Sequence, residues 1–193
     1  MPTRRSFLVT TGSAVVAAFP NAPAIIRSVV RESQQQEIIR HSAGELARMI
    51  RGREVSAEEV VVAHLDRIQA VNPTLNAVVQ LRADGAIEDA RAADRELAAG
   101  RTRGPLHGVP MTLKDSIDTA DLVTTGGTLG RQSFVPERDA TVTTRLRDAG
   151  AILLGKTNTP EVGPSPRFWS TVDFFNSENF DRARWTLVSV SPR

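Results

Sequence analysis

The sequence predicts an α/β protein in which a helical front section leads into an α/β sheet. Three observations support this fold class. Apolar residues recur at helical spacing in three segments before residue 100, two apolar runs of strand length follow, and a helical pattern lies between those runs. Alternation of strand, helix and strand is typical of a crossover connection in an α/β sheet. The 193 residues are enough for one ordinary domain.

The first two helix starts share a capping box, in which a serine and a glutamate three residues later satisfy free backbone N–H groups. The first helix is predicted to begin after Ser42, with Glu45 as its partner, and to stop near Gly52. The second is predicted to begin after Ser56 and to end at Pro73, because proline interrupts helical hydrogen bonding.

A third helix, rich in alanine, is predicted from Asp84 to Ala99, with Gly100 as its stop signal. After it the sequence predicts a strand at Val109–Leu113, which ends at Lys114. A glycine–threonine loop is expected over residues 124–130.

The last two predicted elements complete the crossover. Asp139 is expected to cap a helix that ends at Gly150, and Ala151–Leu154 is expected to form a buried strand.

The first 24 residues predict an export signal peptide. Arg4 and Arg5 precede a short apolar run, and small residues at positions 22–24 are typical of a cleavage site. The arginine pair resembles a twin-arginine signal, which implies a periplasmic or extracellular location. The apolar run is too short to span a bilayer, so no membrane span is expected once the signal is removed.

Composition excludes several kinds of partner and cofactor. Beyond residue 24 the chain carries 22 basic and 22 acidic residues, so no nucleic-acid partner is expected. The sequence has no cysteine, and its three histidines are far apart, so neither a metal nor another cofactor is expected. Only two of the 24 basic residues are lysines, Lys114 and Lys156. Unlike arginine, a buried lysine can lose its proton.

Three blocks then identify a family resemblance: GPLHGVPMTLKDSIDT, TTGGT, and DATVTTRLRDAGAILLGKTNTPE. Their order and spacing resemble the amidase-signature family, and the resemblance covers residues from about 37 to 163. It implies an incomplete amidase-signature mixed α/β/α sheet, with residues 25–163 as the N-terminal part of that domain. It also implies a hydrolase of carboxamide C–N bonds, with a small-molecule amide as substrate, that works by a Ser–Ser–Lys mechanism.

By this resemblance, Lys114 corresponds to the catalytic lysine of the family. In the family this lysine, when neutral, takes a proton through a bridging serine from the serine that attacks the amide. Lys114 is expected at the buried end of its strand, where burial disfavours the ammonium form. Asp115 should face away, because adjacent strand residues point to opposite faces. For Lys114 taken alone, a surface ion pair with Asp115 or Asp118 is the competing interpretation.

The other residues of these blocks receive weaker assignments. Gly126 and Gly127 are weak candidates for substrate binding, and a tight turn explains them equally well. Lys156 is interpreted as a structural lysine near the site. His107 is interpreted as structural, since no partner lies near it in the sequence.

Residues 164–193 depart from the family pattern, which has a glycine- and serine-rich segment after this point. They contain no glycine but both tryptophans, and their serines therefore lack the turns that an oxyanion hole needs. We expect a divergent tail, non-native or frameshifted, although an aromatic-rich subelement of the same fold is the alternative. We also expect the chain as written to be truncated before the catalytic serines and to be inactive or nearly so.

Two other functions remain open at this point. The chain could be a non-catalytic exported binding or interaction module derived from an amidase. The amidotransferase subunit that matures glutaminyl-tRNA shares the motifs, but the export signal argues against that cytoplasmic reaction. In either case an exposed sheet edge predicts self-association and poor solubility.

Overall fold

The structure is a computed structural model that describes Ser33 and residues 35–159. The helices are α1 (Ala43–Arg51), α2 (Ala57–Leu75), α3 (Ala83–Ala98) and α4 (Thr141–Asp148), and the strands are β1 (Val78–Leu81), β2 (Pro110–Lys114) and β3 (Ile152–Thr157). Within this part of the chain no helix is long and apolar enough to cross a membrane. The predicted signal peptide (1–24) and the predicted tail (164–193) lie outside the described residues.

The three strands form one mixed sheet in the order β1-β3-β2. The central strand β3 pairs antiparallel with β1 and parallel with β2, and α4 lies in the crossover between β2 and β3. The predicted α/β class is thus confirmed. Among the described residues the outer edge of β2 pairs with no strand. Self-association through that edge stays a prediction.

Both predicted capping boxes are present. The Ser42 hydroxyl accepts from the Glu45 N–H at 3.3 Å, and the Ser56 hydroxyl accepts from the Glu59 N–H at 3.1 Å. In each box the glutamate carboxylate accepts the serine's own N–H in return. Helix α1 ends at Gly52, as the sequence predicts.

The predicted end of α2 at Pro73 is wrong, because the helix continues to Leu75. Proline acts on the turn before it, where it removes one hydrogen bond and crowds the carbonyl four positions earlier, and Pro73 is already in the last turn. The helix ends instead at Asn76, which adopts a left-handed conformation with φ of 47° and donates its N–H to the Asn72 carbonyl at 2.6 Å.

The predicted cap of α4 by Asp139 is also wrong. The N-cap residue is Ala140, and it makes no side-chain hydrogen bond to the helix. The Asp139 carboxylate instead accepts from the Ala120 N–H at 2.8 Å and pairs with Arg147 at 3.2 Å. It therefore ties α4 to the loop after β2, a long-range contact that a local pattern does not reveal.

Apolar side chains cover both faces of the sheet. One face packs against α1, α2 and α3 through a core that includes Ile50, Val60, Ala90, Ile152 and Leu154. The opposite face carries a smaller cluster of Leu113, Leu122 and Leu153, with Leu146 of α4 packed against it. The sheet is therefore a middle layer between helices and a second, loop-rich layer.

A bulge in β3 changes which side chains face each layer. Met111 of β2 pairs with Leu153, but the next residue, Thr112, pairs with Gly155, so Leu154 is passed over. The pairing then continues with Leu113 opposite Lys156. Because the extra residue shifts the alternation by one, Lys156 shares the face of Leu153 rather than the helical face.

Gly155 is essential to this bulge. A Cβ at this position would lie 2.1 Å from the backbone oxygen of Gln80 in β1. We expect Gly155→Ala to lower the free energy of unfolding by about 1–3 kcal/mol, because backbone atoms cannot easily yield. Gly44→Ala is the matched control, since no heavy atom lies within 4 Å of its added Cβ. That helical replacement should stabilise the chain by about 0.5–1 kcal/mol. Urea unfolding followed by circular dichroism measures both, and equal effects would contradict the expectation.

Candidate active site

Lys114 is the last residue of β2, where it pairs with Thr157 of β3. Its side chain is exposed, and its Nζ donates a hydrogen bond to the Asn158 carbonyl at 2.8 Å. The expectation that Lys114 is buried is therefore wrong, because none of the described residues covers this end of β2. The two carboxylates considered as surface partners are engaged elsewhere. Asp115 accepts from Thr125, and Asp118 pairs with Arg131 at 3.1 Å.

Asp115 points to the other side of the sheet, as the alternation of strand residues predicts. Its side chain is only 4% exposed. The carboxylate accepts from the Thr125 N–H at 3.2 Å and from the Thr125 hydroxyl. Asp115 thus anchors the glycine–threonine loop under the carboxyl end of β2, away from the Lys114 amine.

The glycine–threonine loop is a tight turn. Gly126 and Gly127 have φ angles of 58° and 75°, values that favour glycine. The Gly126 N–H donates to the Asp115 carbonyl at 3.1 Å, and the Gly127 N–H donates to the Thr125 hydroxyl at 2.9 Å. Since both N–H groups already donate to protein acceptors, the geometry favours the turn interpretation. Substrate binding by Gly126 and Gly127 stays a prediction.

Lys156, by contrast, is fully buried at 0% exposure. Its Nζ donates hydrogen bonds to the Ile117 carbonyl, to the Thr119 hydroxyl at 3.0 Å and to the Thr124 hydroxyl at 3.0 Å. Two of these acceptors lie in the segment that connects β2 to the glycine–threonine loop, and Thr124 is the first residue of that loop. Lys156 therefore lies on β3 but fastens a neighbouring loop, which agrees with its interpretation as a structural lysine.

The hydroxyl protons around Lys156 indicate its charge state. Thr119 donates its own proton to the Ile117 carbonyl at 3.2 Å, and Thr124 donates to the Leu122 carbonyl at 3.4 Å. With both hydroxyls donating to these carbonyls, Nζ is the donor in all three of its contacts, an arrangement that favours the ammonium form. Burial lowers the pKa of Lys156, and the carboxylates of Asp115 and Asp118 act in the opposite direction.

The middle of the same segment is held by arginines. Arg82 pairs with Asp121 at 2.7 Å, and Arg147 of α4 pairs with the same carboxylate at 2.6 Å. Burial raises the pKa of Asp121, but the hydrogen bond from Arg147 and the charges of both arginines outweigh it, so this pKa lies below its usual value. The segment after β2 is therefore held by Lys156 at Ile117 and Thr124 and by two arginines at Asp121 between them.

His107 has the structural role that its isolation predicts. It is buried, its Nδ1 accepts from the Arg103 N–H at 3.1 Å, and its Nε2 lies 3.0 Å from the Ala93 carbonyl. Because Nδ1 accepts, Nε2 carries the proton and donates to Ala93. The ring joins α3 to the turn before β2, and both its nitrogens are engaged there.

The two lysines therefore offer different chemistry. The Lys156 ammonium spends its donors on three fixed oxygens and has no lone pair for a base. The Lys114 amine is accessible at the carboxyl end of the sheet, beside the point where the chain leaves β3. Of these two amines, only Lys114 is exposed to a group that approaches from outside the described residues.

Comparison with known proteins identifies the class to which this arrangement belongs. The family model described as Amidase matches residues 59–169, more than half of the chain. The chain belongs to the amidase family. The match runs a few residues past 163, the predicted boundary of the tail.

Similar proteins of known name support this assignment. A glutamyl-tRNA(Gln) amidotransferase subunit from Acidothermus cellulolyticus is 53% identical over 125 residues, which are 65% of this chain and 25% of that protein. Native peptide amidase from Stenotrophomonas maltophilia is 42% identical, with a TM-score of 0.59, over 63% of this chain and 25% of its own. A fatty acid amide hydrolase structure is 25% identical, with a TM-score of 0.63, over 83% of this chain and 27% of its own. The chain spans about a quarter of the length of these relatives.

Proposed function

We propose that this chain carries the base of a Ser–Ser–Lys amide hydrolase, and that Lys114 is that base. One observation carries the proposal: the Lys114 Nζ lies 2.8 Å from the Asn158 carbonyl, directly after β3. The segment that follows β3 is the one from which the family takes its serines. A base at this position is therefore next to the start of the segment that it has to serve.

The proposed chemistry uses this accessible amine as the final proton acceptor. Neutral Nζ accepts the proton of a bridging serine, which in turn takes the proton of the nucleophilic serine. The nucleophile forms a C–O bond to the amide carbonyl, the C–N bond breaks, and the proton returns along the same path to the leaving nitrogen. Water then hydrolyses the acyl-enzyme, and the lysine serves as base a second time.

Residues 1–193 by themselves are proposed to lack this activity, because no glycine follows residue 163 to form the turns that the family's serines need. Loss of a single oxyanion-hole donor already costs about 10²–10³-fold in kcat. The test is a pair of proteins: the chain itself, and a chimera in which residues 37–163 replace the corresponding quarter of peptide amidase. We expect no hydrolysis of a peptide amide by the chain and measurable hydrolysis by the chimera.

The controls decide between the open interpretations. Circular dichroism must show that both proteins are folded. A folded chimera without activity would favour the non-catalytic binding or interaction module. Activity of the 193 residues alone would contradict the proposed inactivity.

Export of the protein is also proposed, on the strength of Arg4, Arg5 and the apolar run that follows them. We expect a reporter fused after residue 24 to be found outside the cytoplasm. Replacement of both arginines by lysine should retain it inside, since a twin-arginine signal requires the pair. A reporter that stays in the cytoplasm with the native leader would contradict export.

One observation favours a second candidate function. The identity to the glutamyl-tRNA(Gln) amidotransferase subunit is 53%, higher than the 42% identity to peptide amidase. A role in that amidotransferase requires the cytoplasm. The localisation experiment therefore separates the two candidates, because an exported protein cannot take part in that reaction.

A further inference from the structure

We propose that Lys156 is a positioning residue for Lys114: its three hydrogen bonds hold the Ile117–Thr124 loop against the sheet and thereby fix the backbone that carries Lys114. The inference rests on the proposed function, since it assigns a role relative to the proposed base. Lys156 itself touches no substrate in this assignment.

The first step is the attachment of the loop. Lys156 contacts the loop at its start, at Ile117, and at its end, at Thr124, with Thr119 between them. Lys156, Thr119 and Thr124 are each 0% exposed. A buried charged donor with three acceptors allows very few loop conformations, because any other conformation leaves buried polar groups without partners.

The second step is the connection from the loop to the base. The Ile117 N–H donates to the Lys114 carbonyl at 2.9 Å, so the residue whose carbonyl binds Lys156 also closes the turn after Lys114. Asp115, which follows Lys114, donates its N–H to the Thr157 carbonyl at 2.9 Å. Thr157 is the residue after Lys156 in β3. The carbonyl and the N–H of the peptide bond between Lys114 and Asp115 are thus both held. Ile117, which binds Lys156, holds the carbonyl, and Thr157, the neighbour of Lys156, holds the N–H.

Lys156 could instead only stabilise the fold, and the two roles predict different effects on Lys114. A purely structural residue would affect Lys114 no more than any other core residue of equal energetic weight. A positioning residue affects Lys114 specifically, and through the loop acceptors. The hydroxyl of Thr124 is the most selective probe, because valine removes it at nearly constant shape whereas serine retains it.

The experiment measures the acetylation rate of Lys114 in the full chain with acetic anhydride, by mass spectrometry of its peptides. Lys114 and Lys156 are the only lysines in the sequence, and only Lys114 is exposed. We expect Lys156→Met to raise the Lys114 rate at least about fivefold and Thr124→Val to raise it about twofold, as the loss of hydrogen bonds allows the loop to open. Thr124→Ser should restore the native rate.

Ile50→Val is the matched control, because it weakens the helical core on the other face of the sheet. It should leave the Lys114 rate unchanged. If Lys156→Met does not fold, the comparison of Thr124→Val with Thr124→Ser is sufficient to test the proposal. The proposal would be overturned if Thr124→Val had the native acetylation rate. It would also be overturned if Thr124→Ser or Ile50→Val changed the rate as much as Thr124→Val does.

The acetylation experiment does not depend on catalysis. A chimera that stays active without Lys114 would refute the proposed base, whatever the acetylation rates are. Unchanged acetylation rates would refute the positioning role even if Lys114 proved to be the base.

Discussion

Replacing Lys114 by arginine in the peptide amidase chimera is expected to lower kcat by about 10²–10⁴-fold, the contribution of a positioned general base. Arginine has similar length and keeps the positive charge, but it cannot lose its proton near neutral pH. The KM for a peptide amide should change little, because Lys114 is proposed to contact the proton path rather than the substrate. Steady-state kinetics with a peptide amide measures both constants.

Thr112→Ser is the matched control for this variant. Thr112 lies two residues earlier on the same strand and is also exposed, but it has no proposed part in proton transfer. The control should retain the activity of the parent chimera, and both variants should unfold at the same temperature as the parent. A Lys114→Arg chimera as active as its parent would exclude Lys114 as the base.

Replacing Lys156 by alanine in the 193-residue chain is expected to lower the free energy of unfolding by about 3–5 kcal/mol. Two physical effects add up. The truncation leaves a cavity where a fully buried four-carbon chain was packed, and it leaves the Ile117 carbonyl and two threonine hydroxyls without their donor. Release of a buried charge opposes this loss, since burial lowers the pKa of Lys156. Urea unfolding monitored by circular dichroism measures the net effect.

Lys156→Met separates the two effects, because methionine fills most of the volume but donates no hydrogen bond. Its loss of stability should be smaller than that of the alanine variant by the cavity contribution. A methionine variant as stable as the native chain would show that the three oxygens do not need the ammonium. That result would also remove the energetic basis for holding the loop in place.

Features that depend on neighbouring residues could be predicted from the sequence. The capping boxes at Ser42 and Ser56 involve partners three residues away, and both are present. The apolar run before Lys156 predicted a buried strand, and β3 begins at Ile152. The alternation of strand residues also placed Asp115 correctly, on the side opposite to Lys114.

Features that depend on distant partners could not be predicted. Strand β1 is only four residues long and mostly half-buried, so it gives no clear periodic signal. Asp139 is next to a helix start, yet its carboxylate binds Ala120, nineteen positions earlier. The hydrogen bonds of Lys156 span 32 to 39 positions, and only its rarity and its apolar neighbours suggested that it had a special role.

The exposure of Lys114 could not be predicted either. A strand end is buried only where other parts of the fold cover it, and that cover does not come from the described residues. The family resemblance located the residue in the chain but did not determine its surroundings here.

The bulge at Leu154 and Gly155 determines which layer of the sheet receives the Lys156 side chain. One additional residue in β3 turns Lys156 away from the apolar helices, and its Nζ contacts three buried oxygen atoms instead. Lys114, on the neighbouring strand, is exposed. Two identical side chains thus acquire opposite surroundings: the Lys156 Nζ is enclosed by three oxygens, and the Lys114 side chain is exposed. The count of residues along β3, rather than the kind of side chain, decides which layer of the sheet encloses Lys156.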